Sequence, residues 1–466
     1  MNQSKKVVTV TTIVMVVYIS ISFFSSEIEL FFPKFKNINL LADIAYHPRK
    51  EANKQVQNFI PNTFSATNTF ESYQKKGTII GFNQDSIEPA LPNVTQKLLQ
   101  LEAGKPVKLR IAWFGDSQIE GDYMTQDLRK MLNNQFNLTG SVGFIPVNSV
   151  SQDFRATAIV NTSGYIKSNN FKQHTSNSHL FLSGYSFFGG DFRMNMLDKV
   201  KRDPQVPLQK WLLFGKGDTL RIAYNDSVFQ AYPATKYFNK ILLNSSTNQS
   251  VSVRVSSSRT PVYGISSETS SGIIIDNYSF RGITGIELKQ ISNALLTELS
   301  KENYYDLIVF QYGVNLMFKP EETHFTPYYK QMKSVVNKFK TAMPTTDFLM
   351  LSCSDRAFNY GGEWKTAVGI DSLVYNQAKI AFDTKIPFYN LYQSMGGNGT
   401  MVKYVDSLQY AGKDYIHFNV KGSKKVAYYI FKAMMNDYNK TKIKHKKEQA
   451  KAKADSIAKA KQKSKA

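Results

Sequence analysis

Hydrophobic and polar positions fall into two textures along this chain. From Val107 the sequence alternates and then runs apolar to Phe114, the mark of a buried strand, and Tyr123–Leu132 follows with Met124, Leu128, Met131 and Leu132 on one helical side. Later come a short buried strand at Asp306–Gln311, a helix at Tyr328–Phe339 and a strand at Asp347–Leu351. A helix at Leu373–Phe382, a strand at Ile386–Leu391 and an amphipathic helix at Val420–Met435 complete the series. Strands alternating with helices predict a parallel sheet with helices on its faces. From about Val147 to Tyr278 helical periodicity is weak. There Leu220–Tyr224, Val228–Tyr232, Lys240–Leu243, Val251–Val255 and Gly272–Ile275 read as short strands separated by Ser, Thr and Asn. That texture predicts an inserted all-β, sandwich-like module.

Ahead of both lies Val7–Phe24, an almost uninterrupted apolar stretch long enough to span a bilayer. Lys5 and Lys6 before it keep that end in the cytoplasm and send everything after Ser25 across the membrane. A cleavable signal peptide is the competing reading, but Ser20 and Ser22 offer a poor cleavage site, so an uncleaved anchor is favoured. No cysteine follows the stretch, which excludes lipoprotein processing. The expected division is an anchor or signal segment at 1–25 and a stalk with an N-terminal extension at 26–104, packed near Gly77–Phe82. The first part of the α/β core follows at 105–146, the β module at 147–279, the second part of the core at 280–437 and a basic tail at 438–466.

Charge changes the picture only at the end of the chain. The formal net charge of +22 raises the question of nucleic acid, but eleven lysines against Glu448 and Asp455 lie between Lys440 and Lys465. That Ala/Lys-rich tail cannot pack a core and is expected as a solvated helix or a disordered segment, with anionic lipid or an envelope polymer as the alternative contact. The single cysteine, Cys353, sits in the apolar run Phe348–Cys353 and reads as a buried small hydrophobe; it excludes a disulfide framework.

Separated segments carry the candidate chemistry. Ser117 lies where a strand hands over to a helix, which would expose its hydroxyl at the carboxyl edge of the sheet. Asp414-Tyr415-Ile416-His417 places a carboxylate and an imidazole three residues apart just before a helix. Asp414 can then accept the Nδ1 hydrogen while the other ring nitrogen takes the proton of Ser117. A plain helix cap for Ser117 and a surface or capping role for His417 are the alternatives. Asp116, Glu120 and Asp122 read as solvated first-turn acids rather than as a metal site. His174, His179 and His324 lack partners at metal-ligand spacing and read as surface or loop residues. Tyr224, Tyr232 and Tyr237 read as core, with stacking on sugar rings as the alternative.

GDSQ at Gly115–Gln118, GITG at Gly282–Gly285, GVN at Gly313–Asn315 and DYIH at Asp414–His417 occur in the order of the blocks of the SGNH (GDSL-type) hydrolases, which the chain resembles over roughly 105–143 and 280–435. Each block alone is weak, but four in order, the first after a buried strand and the last before a helix, form a strong combined signal. The resemblance implies a three-layer α/β core with Ser117 as nucleophile, His417 as base and Asp414 as its orienting partner. It implies an oxyanion hole made by the backbone amides of Ser117 and Gly285 and the side-chain amide of Asn315, with Gly285 preferred over Gly282 by its place in the pattern. GDSQIEGDYMT, SDRA at Ser354–Ala357, NLYQSMGG at Asn390–Gly397 and AGKDYIHFN at Ala411–Asn419 look like the bacterial peptidoglycan O-acetylesterases and related exported proteins, whose insertion resembles a carbohydrate-binding module. Leu316 departs from the pattern, because relatives often place a polar or acidic residue there.

The implied function is an exported serine esterase that removes O-acetyl groups from envelope polysaccharide or peptidoglycan through an acyl-enzyme, without cofactor or metal. An O-acetyltransferase with the same triad and a membrane-bound O-acyltransferase partner is one rival. A non-catalytic glycan-binding scaffold is another, against which the complete set Ser117, Asp414, His417 and Asn315 argues. The expected partners are an O-acetylated glycan and, through the N-terminal segment, a membrane, but no nucleic acid. The expected place is the periplasmic side of a Gram-negative envelope, with the N-terminus cytoplasmic.

Overall fold

The computed structural model describes residues 8–14, 66–173, 179–302 and 304–463. The chain divides into two units, Met1–Phe64 and Ser65–Ala466. In the first, residues 8–14 are helical, and Thr12 Oγ1 donates to the Val8 carbonyl oxygen at 2.9 Å. The rest of the apolar stretch, stalk residues 26–65 and His174 lie outside the described residues. Among the described residues no helix is long and apolar enough to cross a membrane.

The second unit is built on a six-stranded sheet of β1 (Ile79–Ile80), β2 (Lys108–Gly115), β3 (Gly272–Ser279), β4 (Leu307–Gln311), β5 (Asp347–Leu351) and β6 (Phe388–Tyr389). Their order is β1-β6-β5-β4-β2-β3, parallel throughout except for β1, which pairs antiparallel with β6 at the edge. The longer helices of this unit are α1 (Pro92–Glu102), α2 (Thr125–Gln135), α3 (Asn293–Lys301), α4 (Thr326–Ala342), α5 (Ile370–Thr384) and α6 (Val420–Lys463). Side chains alternate between two separate clusters along each strand. Phe114, Phe310 and Met350 join Leu296 of α3, Phe339 of α4 and Leu373 of α5. Trp113, Val309 and Leu349 join Leu98 of α1, Leu128 of α2 and Ile430 of α6. Each such large side chain contributes about 1.5–3 kcal/mol by burial, so strands covered on both faces are apolar almost throughout.

That covering explains one correction. Gly272–Ser279, expected in the β module, is edge strand β3 of the parallel sheet, with Ile275 in register with Ile111 of β2. Its run Ile273-Ile274-Ile275 is buried on both faces, as a parallel strand requires and a half-exposed module strand does not. In the opposite sense Gly143–Pro146, expected in the core, pairs antiparallel with the module strand Ser250–Glu268. The described part of the extension before residue 105 packs on the sheet through β1 and α1. Helix α1 begins on Pro92, whose missing N–H costs nothing at that position, and it buries Val94, Leu98 and Leu101.

The module is one nine-stranded hydrogen-bonded network rather than two separate sheets. Strand Ser250–Glu268 changes partners along its length. Its first half lies between Leu220–Tyr224 and Tyr185–Asp198, and its second half between Leu208–Phe214 and Gly143–Pro146. Register shifts near Val255–Ser257 and Val262–Gly264 bend it between the two sets. Arg110 of β2 ties module to core: Nε donates to Asp276 at 2.7 Å, Nη1 to Glu268 at 2.5 Å and Nη2 to Ser266 Oγ at 2.9 Å. Helix α6 runs on past Met435 through the lysine-rich segment to Lys463. Its continuation is packed at first, since Tyr438 donates to Glu102 at 2.8 Å and Asp437 accepts the amides of Ala90 and Leu91 at 2.8 and 2.9 Å.

Candidate active site

Parallel strands end on the same side, so the loops after β2, β3, β4 and β5 gather at one edge of the sheet. Ser117 follows β2 and opens the short helical turn Ser117–Asp122, whose cap is Asp116: its Oδ1 accepts the Gln118 amide at 3.0 Å. Asp414–His417 reaches the same edge from the far end of the chain. Ser117 Oγ stands 2.7 Å from His417 Nε2, and His417 Nδ1 stands 2.6 Å from Asp414 Oδ2. Asp414 Oδ1 also accepts the amides of Ile416 and His417, each at 3.1 Å. Partial burial works to raise the Asp414 carboxyl, but these hydrogen bonds hold it below its ordinary value.

The histidine loop is fixed by its neighbours. Tyr415, at φ +55°, lies flat on Trp364 with ring centroids 3.8 Å apart, and its carbonyl oxygen accepts the Ala357 amide at 3.1 Å. Trp364 and Ala357 belong to the hairpin Ala357–Tyr360/Glu363–Thr366 that follows the SDRA stretch. Gln118 joins serine loop to histidine loop, since its Nε2 donates to Ile416 O at 3.1 Å and to Ser354 Oγ at 2.6 Å. Neither tie was evident in the sequence.

Asn315 follows β4, and its Nδ2 donates to Ile283 O at 2.9 Å, which sets the plane of the amide and leaves one hydrogen for a ligand. Arg356 Nη1 supports that loop through Val314 O at 2.6 Å. Gly285, at φ +94°, begins the turn Ile286–Gln290, and a Cβ there would sit 2.6 Å from the Tyr312 ring. Only glycine fits. Among the described residues the amides of Ser117 and Gly285 meet no acceptor. A cavity of about 480 Å³ opens over Ser117 and His417, walled by Glu120, Tyr123, Phe154, Arg281, Gly282, Asn315 and Phe418. Gly282 lines it and Gly285 does not.

Asp116, Glu120 and Asp122 are not solvated, being only 2%, 8% and 1% exposed. Asp122 is held by Arg129, Thr125 and the module's Thr157, and Glu120 accepts Arg281 Nη2 at 2.7 Å. Burial works to raise Asp122, but Arg129 and Arg155 bring it down to about 2. Burial pushes the Asp116 carboxyl up to about 7, against the pull of the Gln118 amide and of His417. His179 stands edge-on to Tyr237 and His324 lies in a loop. Cys353 is buried, and Tyr224, Tyr232 and Tyr237 are partly buried against the core.

No family model matches the sequence, and no curated protein does. Among solved structures, a peptidoglycan O-acetylesterase is similar at 19% identity and a TM-score of 0.63, the match covering 74% of this chain and 96% of that one. An acetyl xylan esterase matches at 16% identity and a TM-score of 0.26 over 34% of this chain and 80% of its own. A family two carbohydrate esterase from Cellvibrio japonicus matches at 8% identity and a TM-score of 0.25, over 61% of this chain and 99% of its own. The last two are too distant to carry weight. The first shows a shared fold, a sheet of parallel strands joined to a large antiparallel β module.

Proposed function

We propose that this chain is an exported serine esterase that removes O-acetyl groups from an envelope glycan, peptidoglycan or polysaccharide, through an acyl-enzyme formed on a three-layer SGNH core. The observation that carries the reading is the continuous hydrogen-bonded chain Ser117–His417–Asp414 at 2.7 and 2.6 Å, at the edge of an open cavity. Ser117 Oγ attacks the acetyl carbonyl while His417 Nε2 takes its proton, and Asp414 holds Nδ1–H and stabilises the imidazolium. Negative charge develops on the carbonyl oxygen, where the Ser117 amide and the Asn315 side chain donate; the Gly285 amide is the third donor by its place in the family pattern, although Gly282 and not Gly285 walls the cavity. The carbon–oxygen bond to the sugar breaks and the sugar oxygen takes the proton from His417. Water, deprotonated by His417, then attacks the acetyl-serine; the bond to Ser117 Oγ breaks, Oγ takes the proton back from His417 and acetate leaves.

An acetyltransferase would use the same triad but has to keep water from the acyl-enzyme. The His417 and Asp414 side chains are 43% and 47% exposed, which favours hydrolysis. A binding scaffold would have no need of the hydrogen-bonded triad. The place of action follows from the N-terminal sequence: Lys5 and Lys6 ahead of Val7–Phe24 support a membrane anchor with the catalytic unit on the periplasmic side. Acetate release from O-acetylated peptidoglycan and exopolysaccharide, compared with Ser117→Ala, tests the reading. Equal release by both proteins refutes it.

A further inference from the structure

A second cavity of about 400 Å³ adjoins the one at Ser117, and Arg281 lines both. Its walls come largely from the β module, among them Asn148, Asn170, Lys172, Tyr185 and Phe187. Tyr185 is stacked on Phe280, with centroids 4.9 Å apart, and on Phe187 at 5.7 Å, so this cavity has an aromatic floor against which a sugar ring can lie. Two of its polar side chains are held as donors. Asn170 Oδ1 is used by the amides of Lys172 and Gln173, which leaves its NH2 to donate outward. Burial pushes the Tyr185 phenol up to about 12, so it stays a neutral donor.

Charge at the junction of the cavities is unbalanced. Glu120 is the one acid among the side chains lining either cavity, and it is taken by Nε and Nη2 of Arg281 at 3.0 and 2.7 Å, leaving Nη1 over. The Lys172 ammonium has no hydrogen-bond or ion-pair partner among the described residues. It lies where a Cβ on Gly282, a wall of the Ser117 cavity, would meet it at 2.9 Å. An unpaired ammonium and a free guanidinium N–H thus meet between an aromatic sugar platform and the candidate nucleophile.

We propose that the second cavity is a sugar subsite continuous with the cavity at Ser117, and that Lys172 and Arg281 there receive a carboxylate, so that the glycan taken is acidic. This rests on the esterase reading and names its substrate class: a glycan with a carboxylate near the acetylated sugar, on the next residue of a polyuronate or on the peptide of a peptide-bearing strand. Arg281 presents the remaining N–H of Nη1 and Lys172 a point charge, a pairing that holds a carboxylate more tightly than a neutral hydroxyl.

Full-length Ser117→Ala, which keeps the binding surface without turnover, is titrated by calorimetry. The ligands are O-acetylated polyuronate oligosaccharides, O-acetylated peptidoglycan strands and neutral acetylated xylan oligosaccharides of matched length. The two acidic arms separate the two sources of carboxylate, and tighter binding of either than of xylan, by about tenfold, supports the proposal. The preference falls as salt is raised, is abolished by adding Lys172→Glu and survives Lys172→Arg. Equal affinity for acidic and neutral ligands, or a preference that Lys172→Glu leaves intact, overturns the subsite. Failure of the esterase reading shows separately, as no acetate release by the wild-type chain from any of the three.

Discussion

Replacing Asp414 by Asn changes one atom at the 2.6 Å contact with His417 Nδ1 and leaves an oxygen for the amides of Ile416 and His417. Two effects add. The first is the loss of a carboxylate facing the imidazolium that forms as Ser117 attacks. Charges about 4 Å apart interact by about 4 kcal/mol at an effective dielectric of about 20. With the two side chains 47% and 43% exposed, solvent screening cuts this to about 2 kcal/mol, or roughly 30-fold in rate. The second is the tautomer. An Asn NH2 donates to Nδ1 and so favours the hydrogen on Nε2, facing Ser117 Oγ, where it blocks proton transfer; in buried triads the same change costs about 10⁴-fold. Exposure lets water compete for Nδ1 and softens this second effect. The expected loss in kcat is therefore about 100- to 1000-fold, with KM within about twofold, measured by initial rates of acetate release. A loss below about threefold would show that His417 is not oriented by Asp414 and would refute the assignment of the triad.

Asn315→Ala removes the one side-chain donor assigned to the oxyanion and should lower kcat about 100- to 1000-fold with little change in KM; an effect on KM alone would move Asn315 from the transition state to substrate binding. Asp116→Asn tests the buried carboxyl raised to about 7. A raised pKa gives stability that is complete below about pH 4, where the unfolded chain is also protonated, and that is lost as pH rises through 7. The melting temperature of the variant should thus gain on the wild type between pH 5 and 8, whereas parallel curves would show that Asp116 titrates normally. Arg110→Leu leaves Glu268 and Asp276 buried without their shared cation and should cost about 3–5 kcal/mol in denaturant unfolding. A cost below about 1 kcal/mol would mean that the module is held by its apolar contacts alone.

Legibility in the sequence followed the locality of the cause. Strands β2, β4 and β5 were readable because a strand covered on both faces is a compact apolar run, and Ser117, Asp414 and His417 because each sits in a short block beside a recognisable element. The sheet to which strand β3 belongs is not legible in its own residues, since its partner β2 lies far upstream and nothing in Gly272–Ile275 names it. Tyr185–Asp198 escaped notice because Gly189, Gly190 and Asp191 interrupt its apolar alternation, and helix α1 because its polar face dilutes a short pattern. Asp116, Glu120 and Asp122 look like exposed first-turn acids, because the partners that bury two of them, Arg155 and Thr157 on Asp122 and Arg281 on Glu120, lie far along the chain. Lys172 carries no motif at all, and only the packing of module against core places it beside Gly282 at the rim of the Ser117 cavity.

The most direct test of the central claim is acetate released from an O-acetylated envelope glycan by the full-length chain and by Ser117→Ala, with a sugar acceptor present or absent. The account predicts steady release by the wild type, at least about 1000-fold slower release by the variant, and acetate passed to water rather than to the acceptor. Transfer to the acceptor in preference to water, or release that survives the loss of the Ser117 hydroxyl, would contradict it.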